Sequence, residues 1–226
     1  MSKTVGIIGG MGPAATVELF RRIVAFTPAA RDQDHLRIII DNNPRIPDRT
    51  AAILGEGESP LPLLIETAHI LEDAGAELLA IPCNTAHFYL PQLQDKVRVP
   101  IVNMIEETVR AVRESRIGLL ATDGTVKAEV YQRACAVQGV DLVLPPPRDQ
   151  RWLMEAIYGI KSGATPTRFE SGMEDIIGRL RARGVQGVII GCTELSLIPI
   201  ERSSIAVYDA LDILARRVVE ISRGGE

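Results

Sequence analysis

Short apolar runs that end in Gly, Asn or Pro recur along this chain, and between them lie longer segments whose apolar residues repeat at helical spacing. The runs predict strands at "TVGIIG" (4–9), "LRIIID" (36–41), "AELLAI" (76–81), "VPIVN" (99–103), "RIGLLA" (116–121), "VDLVLP" (140–145), "VQGVIIG" (185–191) and "SIAVYD" (204–209). The helical spacing predicts helices over 13–26, 60–74, 105–114, 126–138, 149–161, 168–183 and 210–222. Strands alternating with helices point to βαβ units and mainly parallel sheets.

The pattern also repeats on a larger scale. "GIIGGMGPAATVELFRR" (6–22) matches "GLLATDGTVKAEVYQRA" (118–134), with Glu18, Leu19, Phe20 and Arg22 opposite Glu129, Val130, Tyr131 and Arg133 at an offset of 111. "ELLAIPCNTAHFYLP" (77–91) likewise matches "GVIIGCTELSLIP" (187–199). The fold class this predicts is α/β, two similar lobes each built on a mainly parallel sheet flanked by helices. The lobes span 1–114 and 115–209, with the terminal helix (210–226) packing back on the first. A pseudo-twofold axis between them would place the site in the cleft, beyond the carboxyl ends of the strands, where ligands of open parallel sheets gather.

Cys83 and Cys192 both occupy the strand-to-helix position, one per lobe. A single cysteine after an apolar run is more often a packing residue. A pair at matched positions of two repeats, each followed by Thr within two residues, favours chemistry instead. A helix N-terminus behind each sulfur would favour thiolate over thiol, and Asn84, Thr85, Thr193 and Glu194 offer amides and side chains to hold a carboxylate. Two acid/base groups on opposite faces of one carbon are what stereoinversion needs. Cys135, on a predicted helix, reads as a packing residue. His87, four residues after Cys83, is placed either to support that thiol or to pack.

Composition narrows the partners. The 226 residues are 46% hydrophobic, enough for a sizeable core, and 25 basic against 29 acidic residues leave a net charge of -4. No stretch gathers Lys and Arg with aromatics, which disfavours nucleic acid as a partner. No apolar run approaches a membrane span or a signal peptide, so a soluble, cytoplasmic protein is expected. Three cysteines without a CxxC pair and three histidines indicate neither a disulfide framework nor a metal site.

These motifs, from "GIIGGMGP" through "NNPRIPDR" and "PCNTAH" to "GCTEL", resemble the aspartate/glutamate racemases, which use no cofactor. The resemblance implies two Rossmann-like lobes, usually in a homodimer, with Cys83 and Cys192 as the acid/base pair acting on a small acidic amino acid. No pyridoxal phosphate is implied, and none of the four lysines (Lys3, Lys96, Lys127, Lys161) has a Schiff-base setting. The loop "GGMGP" and Glu194, where the glutamate-dedicated branch shows an Asp-Ser pair and a His, lean toward the aspartate branch. The family pattern further implies that Arg49 and Lys161 bind the substrate's side-chain carboxylate, a task a guanidinium suits by its bidentate geometry. Met11, in the first glycine loop, and Thr125, opposite that loop in the repeat, are further substrate-site candidates.

Other functions compete. "GGMGPAA" approximates a dinucleotide-binding fingerprint, yet Asp41 lies too far downstream of Gly10 to be its acidic partner. A non-catalytic binder of small acids could share the two-lobed form, but has no use for a thiol on each wall. Arylmalonate decarboxylases and maleate isomerases, also similar in fold, match the paired motifs less well.

Overall fold

The computed structural model describes residues 2–200 and 203–225; Met1 and Glu226, which end the spans 1–114 and 210–226, lie outside them. The strands are β1 (Val5–Gly9), β2 (Ile38–Asn42), β3 (Leu78–Ala80), β4 (Arg116–Ala121), β5 (Asp141–Val143), β6 (Gly187–Gly191) and β7 (Ala206–Asp209). They form two sheets, the first in the order β2-β1-β3 and the second in the order β5-β4-β6-β7, all parallel. The architecture is therefore α/β with two similar lobes.

The segment 99–103 touches the first sheet at one point, a parallel bridge between Leu79 and Ile101. Pro100 has no N–H to donate, and Asn103 already caps the helix that follows, so the predicted strand has no room to extend.

The helices are α1 (Pro13–Phe26), α2 (Arg49–Leu54), α3 (Leu61–Asp73), α4 (Leu90–Gln94), α5 (Met104–Ala111), α6 (Asp123–Lys127), α7 (Val130–Val137), α8 (Pro147–Lys161), α9 (Glu170–Ala182) and α10 (Ala210–Ser222). Besides the five-residue α4, which the spacing does not predict, two regions depart from the periodicity. The predicted helix 126–138 is broken at Glu129, whose φ of 56° is left-handed, into α6 and α7. The Pro-rich stretch after β2 holds the unpredicted α2, whose local signals are the Asp48 cap, accepting from Ala51 N at 2.9 Å, and Gly55 at the left-handed end.

Helices cover both faces of each sheet, so the strands are apolar throughout and period two decides which layer each residue joins. Ile8 and Leu79 pack with Leu64 and Leu71 of α3, whereas Val5, Ile7 and Leu78 pack with Leu19 of α1 and Leu211 and Leu214 of α10. In the second sheet Leu120, Val188 and Ile190 face α8 and α9, while Ile117, Leu119 and Ile189 face α7. Ile105 and Val109 of α5 join this last layer. The chain thus crosses to the second sheet through α5 and returns to the first through α10.

Candidate active site

The repeat is exact where it matters for the cysteines. Gly6 pairs with Leu79 and Gly118 with Val188, each partner four residues before a cysteine. Both thiols therefore leave the carboxyl end of the strand beside the first strand of their lobe. Cys83 is 6% exposed and Cys192 5%, and both line one closed cavity between the lobes.

Neither thiol heads a regular helix. Cys83 is followed by a 3-10 turn (Thr85–Tyr89), and Cys192 by another (Leu195–Leu197). The expected helix-dipole effect gives way to local partners. The Cys192 Sγ–H donates to Glu194 Oε2 at 3.1 Å, and burial, reinforced by the Glu194 charge, pushes this thiol well above its ordinary range. Glu194 Oε1 accepts from Gly12 N of the first loop at 3.3 Å.

His87 serves the backbone instead of the Cys83 sulfur. Its Nε2 accepts from Met104 N at 3.1 Å, so Nδ1 carries the proton and donates to Cys83 O at 2.9 Å. Burial pushes its pKa down and keeps the ring neutral.

The polar neighbours interlock across the lobe boundary. Thr193 Oγ1 donates to Pro82 O at 3.1 Å. Thr85 Oγ1 lies 3.0 Å from Thr122 Oγ1 and 2.9 Å from Thr125 Oγ1, closing a triangle of hydroxyls. Asn84 Oδ1 accepts from Tyr131 Oη at 2.6 Å, while its buried Nδ2 finds no partner among the described residues.

Two cations face this cavity. Arg49 is the first residue of α2, not a loop residue, and only 6% exposed. Its Nη1 donates to Ile46 O and Pro47 O and its Nη2 to Met11 O, leaving Nε unpartnered among the described residues. Burial opposes the Arg49 charge, but the neighbouring Cys83, Asp48 and Glu194 hold its pKa up. Lys161, at the end of α8, is an exposed residue that lines the cavity wall. Burial lowers its pKa, and Glu194 and Cys192 more than compensate, so it stays charged.

Of the residues singled out in the sequence, Met11, Arg49, Asn84, Thr85, Lys161, Thr193 and Glu194 line the cavity with the two cysteines. Thr125 sits behind Thr85. Asp48, Thr50 and Thr122 also line it and were not anticipated. Asp48 and Thr122 carry a legible local signal, since both are helix caps, but nothing local says that they face the opposite lobe. The cavity measures ≈10 Å³, about enough for one water. Beside it, sharing Asp48, Arg49, Lys161 and Glu194, is a cavity of ≈580 Å³ walled by Pro13, Pro44, Ile46 and Ile160.

A family model described as Asp/Glu/hydantoin racemase matches residues 8–218. The Picrophilus torridus aspartate racemase superposes with a TM-score of 0.86 at 31% identity, covering 98% of this chain and 94% of that one. The broad specificity amino-acid racemase RacX of Bacillus subtilis is 25% identical over 95% of this chain and 96% of its own length. A Francisella tularensis glutamate racemase, solved with D-glutamate, shares the fold at a TM-score of 0.69 and 17% identity, covering 97% of this chain and 81% of that one. A family match running from the first strand to the last helix leaves one assignment: the chain belongs to the Asp/Glu/hydantoin racemase family and is an amino-acid racemase, an isomerase.

Proposed function

We propose that this racemase interconverts L- and D-aspartate by a two-base mechanism, and that glutamate is within reach of the same site. The observation that carries the reading is one closed cavity lined by Cys83 from the first lobe, Cys192 from the second, and the cations Arg49 and Lys161. A free amino acid brings two carboxylates if its side chain is acidic, and the buried Arg49 guanidinium supplies a fixed countercharge for one of them. The name of the Picrophilus relative favours aspartate.

Inversion needs one wall to take the α-proton while the other gives one from behind. The Cys192 thiol donates its proton in a hydrogen bond to Glu194, so for the enantiomer whose α-proton faces Cys83 it is the group placed to give one from behind. Transfer reverses these states, and the second enantiomer is processed from the other side. The two titrations belong to the pair and not to either sulfur alone.

Incubation with L-aspartate in deuterium oxide, without added cofactor, should yield α-deuterated aspartate of both hands. Changing either Cys83 or Cys192 to Ala should lower racemisation by about 10²- to 10⁴-fold, the usual worth of a general acid or base. If Cys192→Ala racemised at the wild-type rate, the two-base reading would be wrong. A broader substrate range is the second reading, supported by the RacX name and by the partly apolar outer cavity. A panel of amino acids separates the two: wild-type kcat/KM for aspartate should exceed that for neutral amino acids, and equal values would favour breadth.

A further inference from the structure

The sequence match sets Tyr131 opposite Phe20, but burial follows a different register. Ala15, Thr16, Leu19 and Arg22 are the buried positions early in the first lobe's leading helix, and Gly124, Thr125, Ala128 and Tyr131 are those of the second. Each pair stands 109 positions apart, as Cys192 does from Cys83. Structurally, Tyr131 is therefore the counterpart of Arg22.

Both side chains cross the lobe boundary. Arg22 Nη2, from the first lobe, donates to Ser196 O at 2.9 Å, in the turn that follows Cys192. Tyr131 Oη, from the second, donates to Asn84 Oδ1 at 2.6 Å, next to Cys83. Each lobe thus braces the other lobe's cysteine segment from an equivalent helix position.

We propose that Tyr131 is a positioning residue for the Cys83 wall, acting through Asn84. The proposal rests on the racemase reading of this cavity. A fully buried hydroxyl is costly unless bonded, and Tyr131 is 0% exposed; Asn84 Oδ1 accepts its proton at 2.6 Å, with the Thr108 hydroxyl as its other polar neighbour. An amide whose oxygen is taken must turn its NH2 group the other way. Asn84 lines the cavity and its Nδ2 is buried and unpartnered among the described residues, which leaves an oriented donor pair for a substrate oxygen. The same ring lies against the Cys192 segment: a Cβ on Gly191 would come within 3.1 Å of Tyr131 Cε2. One side chain therefore sets the spacing of both cysteine segments, and its hydroxyl alone addresses Asn84.

Tyr131→Phe keeps the ring and removes only that hydroxyl. Its kcat/KM for aspartate should fall about ten-fold, the usual cost of one buried hydrogen bond. In an Asn84→Ala background the same change should cost nothing further, and full additivity would overturn the proposal. The primary isotope effect with α-deuterated substrate reports which wall is affected. Tyr131→Phe should alter it for the same hand as Cys83→Ser does; an equal change for both hands would mean a merely structural role. Two measurements do not depend on turnover. The Asn84 side-chain NH2 resonance should move in Tyr131→Phe, and in the wild-type protein the Tyr131 hydroxyl proton should exchange slowly and show a nuclear Overhauser contact to Asn84. A freely exchanging hydroxyl proton would sink the idea even if the variant did not fold. Absence of any α-hydrogen exchange by the wild type would instead sink the functional reading alone.

Discussion

Glu194 changes role between the motif and the folded site. In "GCTEL" it is one more polar neighbour able to hold a carboxylate; in the structure one of its oxygens holds the Cys192 proton and the other the Gly12 amide. Glu194→Gln removes the charge that helps keep Cys192 protonated, so the alkaline limb of the kcat/KM profile should move to lower pH. An unmoved limb would show that Glu194 does not tune this thiol. The same thiol affects stability. Burial and the Glu194 charge hold its folded pKa well above the ordinary thiol range, so the fold binds this proton more tightly than the unfolded chain does. That stability is fully present below about pH 9 and is lost as pH rises through the folded value. Denaturant midpoints of Cys192→Ser should therefore fall less steeply above pH 9 than those of the wild type. Some slope will remain, because burial also raises the Cys135 thiol, to about 11.

At the scale of elements, the site is a set of strand-end turns, and their shape is a backbone matter. Gly10 has a φ of +95°, and a Cβ there would run into the backbone of Asn43. The loop it begins supplies Met11 O to Arg49 and Gly12 N to Glu194. Gly10→Ala should cost about 1–3 kcal/mol of unfolding free energy, seen as a lower denaturant midpoint, and reduce activity with it; unchanged stability would mean the loop has another conformation open to it. The helices that the spacing misses or merges are short ones. α2 is short and its caps lie among prolines, and α6 and α7 part at a glutamate, a residue that carries no breaker signal. Helical periodicity continues through such a break because both halves still bury a face.

At the scale of the molecule, closure is the dominant fact. Thr85, Thr193, Asn84 and Glu194 all bond across the lobe boundary, and Gly124 comes so near Thr50 that a Cβ would lie 2.6 Å from its hydroxyl. A cavity with room for about one water admits no amino acid. On the reading proposed above, substrate would therefore enter an opened form, through the larger cavity that shares Arg49 and Lys161. Labelling with a bulky thiol reagent tests this. The rates at Cys83 and Cys192 should level off at high reagent, where opening becomes limiting, and should drop when aspartate is present. Rates that keep rising in proportion to reagent would show thiols open to solvent in the resting state. No helix among the described residues is long and apolar enough to cross a membrane.

The sequence by itself determined the class of most elements, the two-lobed α/β plan and the matched positions of Cys83 and Cys192. These follow from local patterning and from a repeat, and strand-end position needs no knowledge of distant residues. The motif also singled out Arg49, although not the helix it begins. Tertiary structure alone decided which groups meet: that Glu194 holds the Cys192 proton, that His87 binds a carbonyl, and that Thr122 closes a triangle with Thr85. It also revealed the register in which Tyr131 answers Arg22, because loops of different length separate strand from helix in the two lobes. Contacts across a lobe boundary join residues far apart in the chain, and no local spacing encodes them.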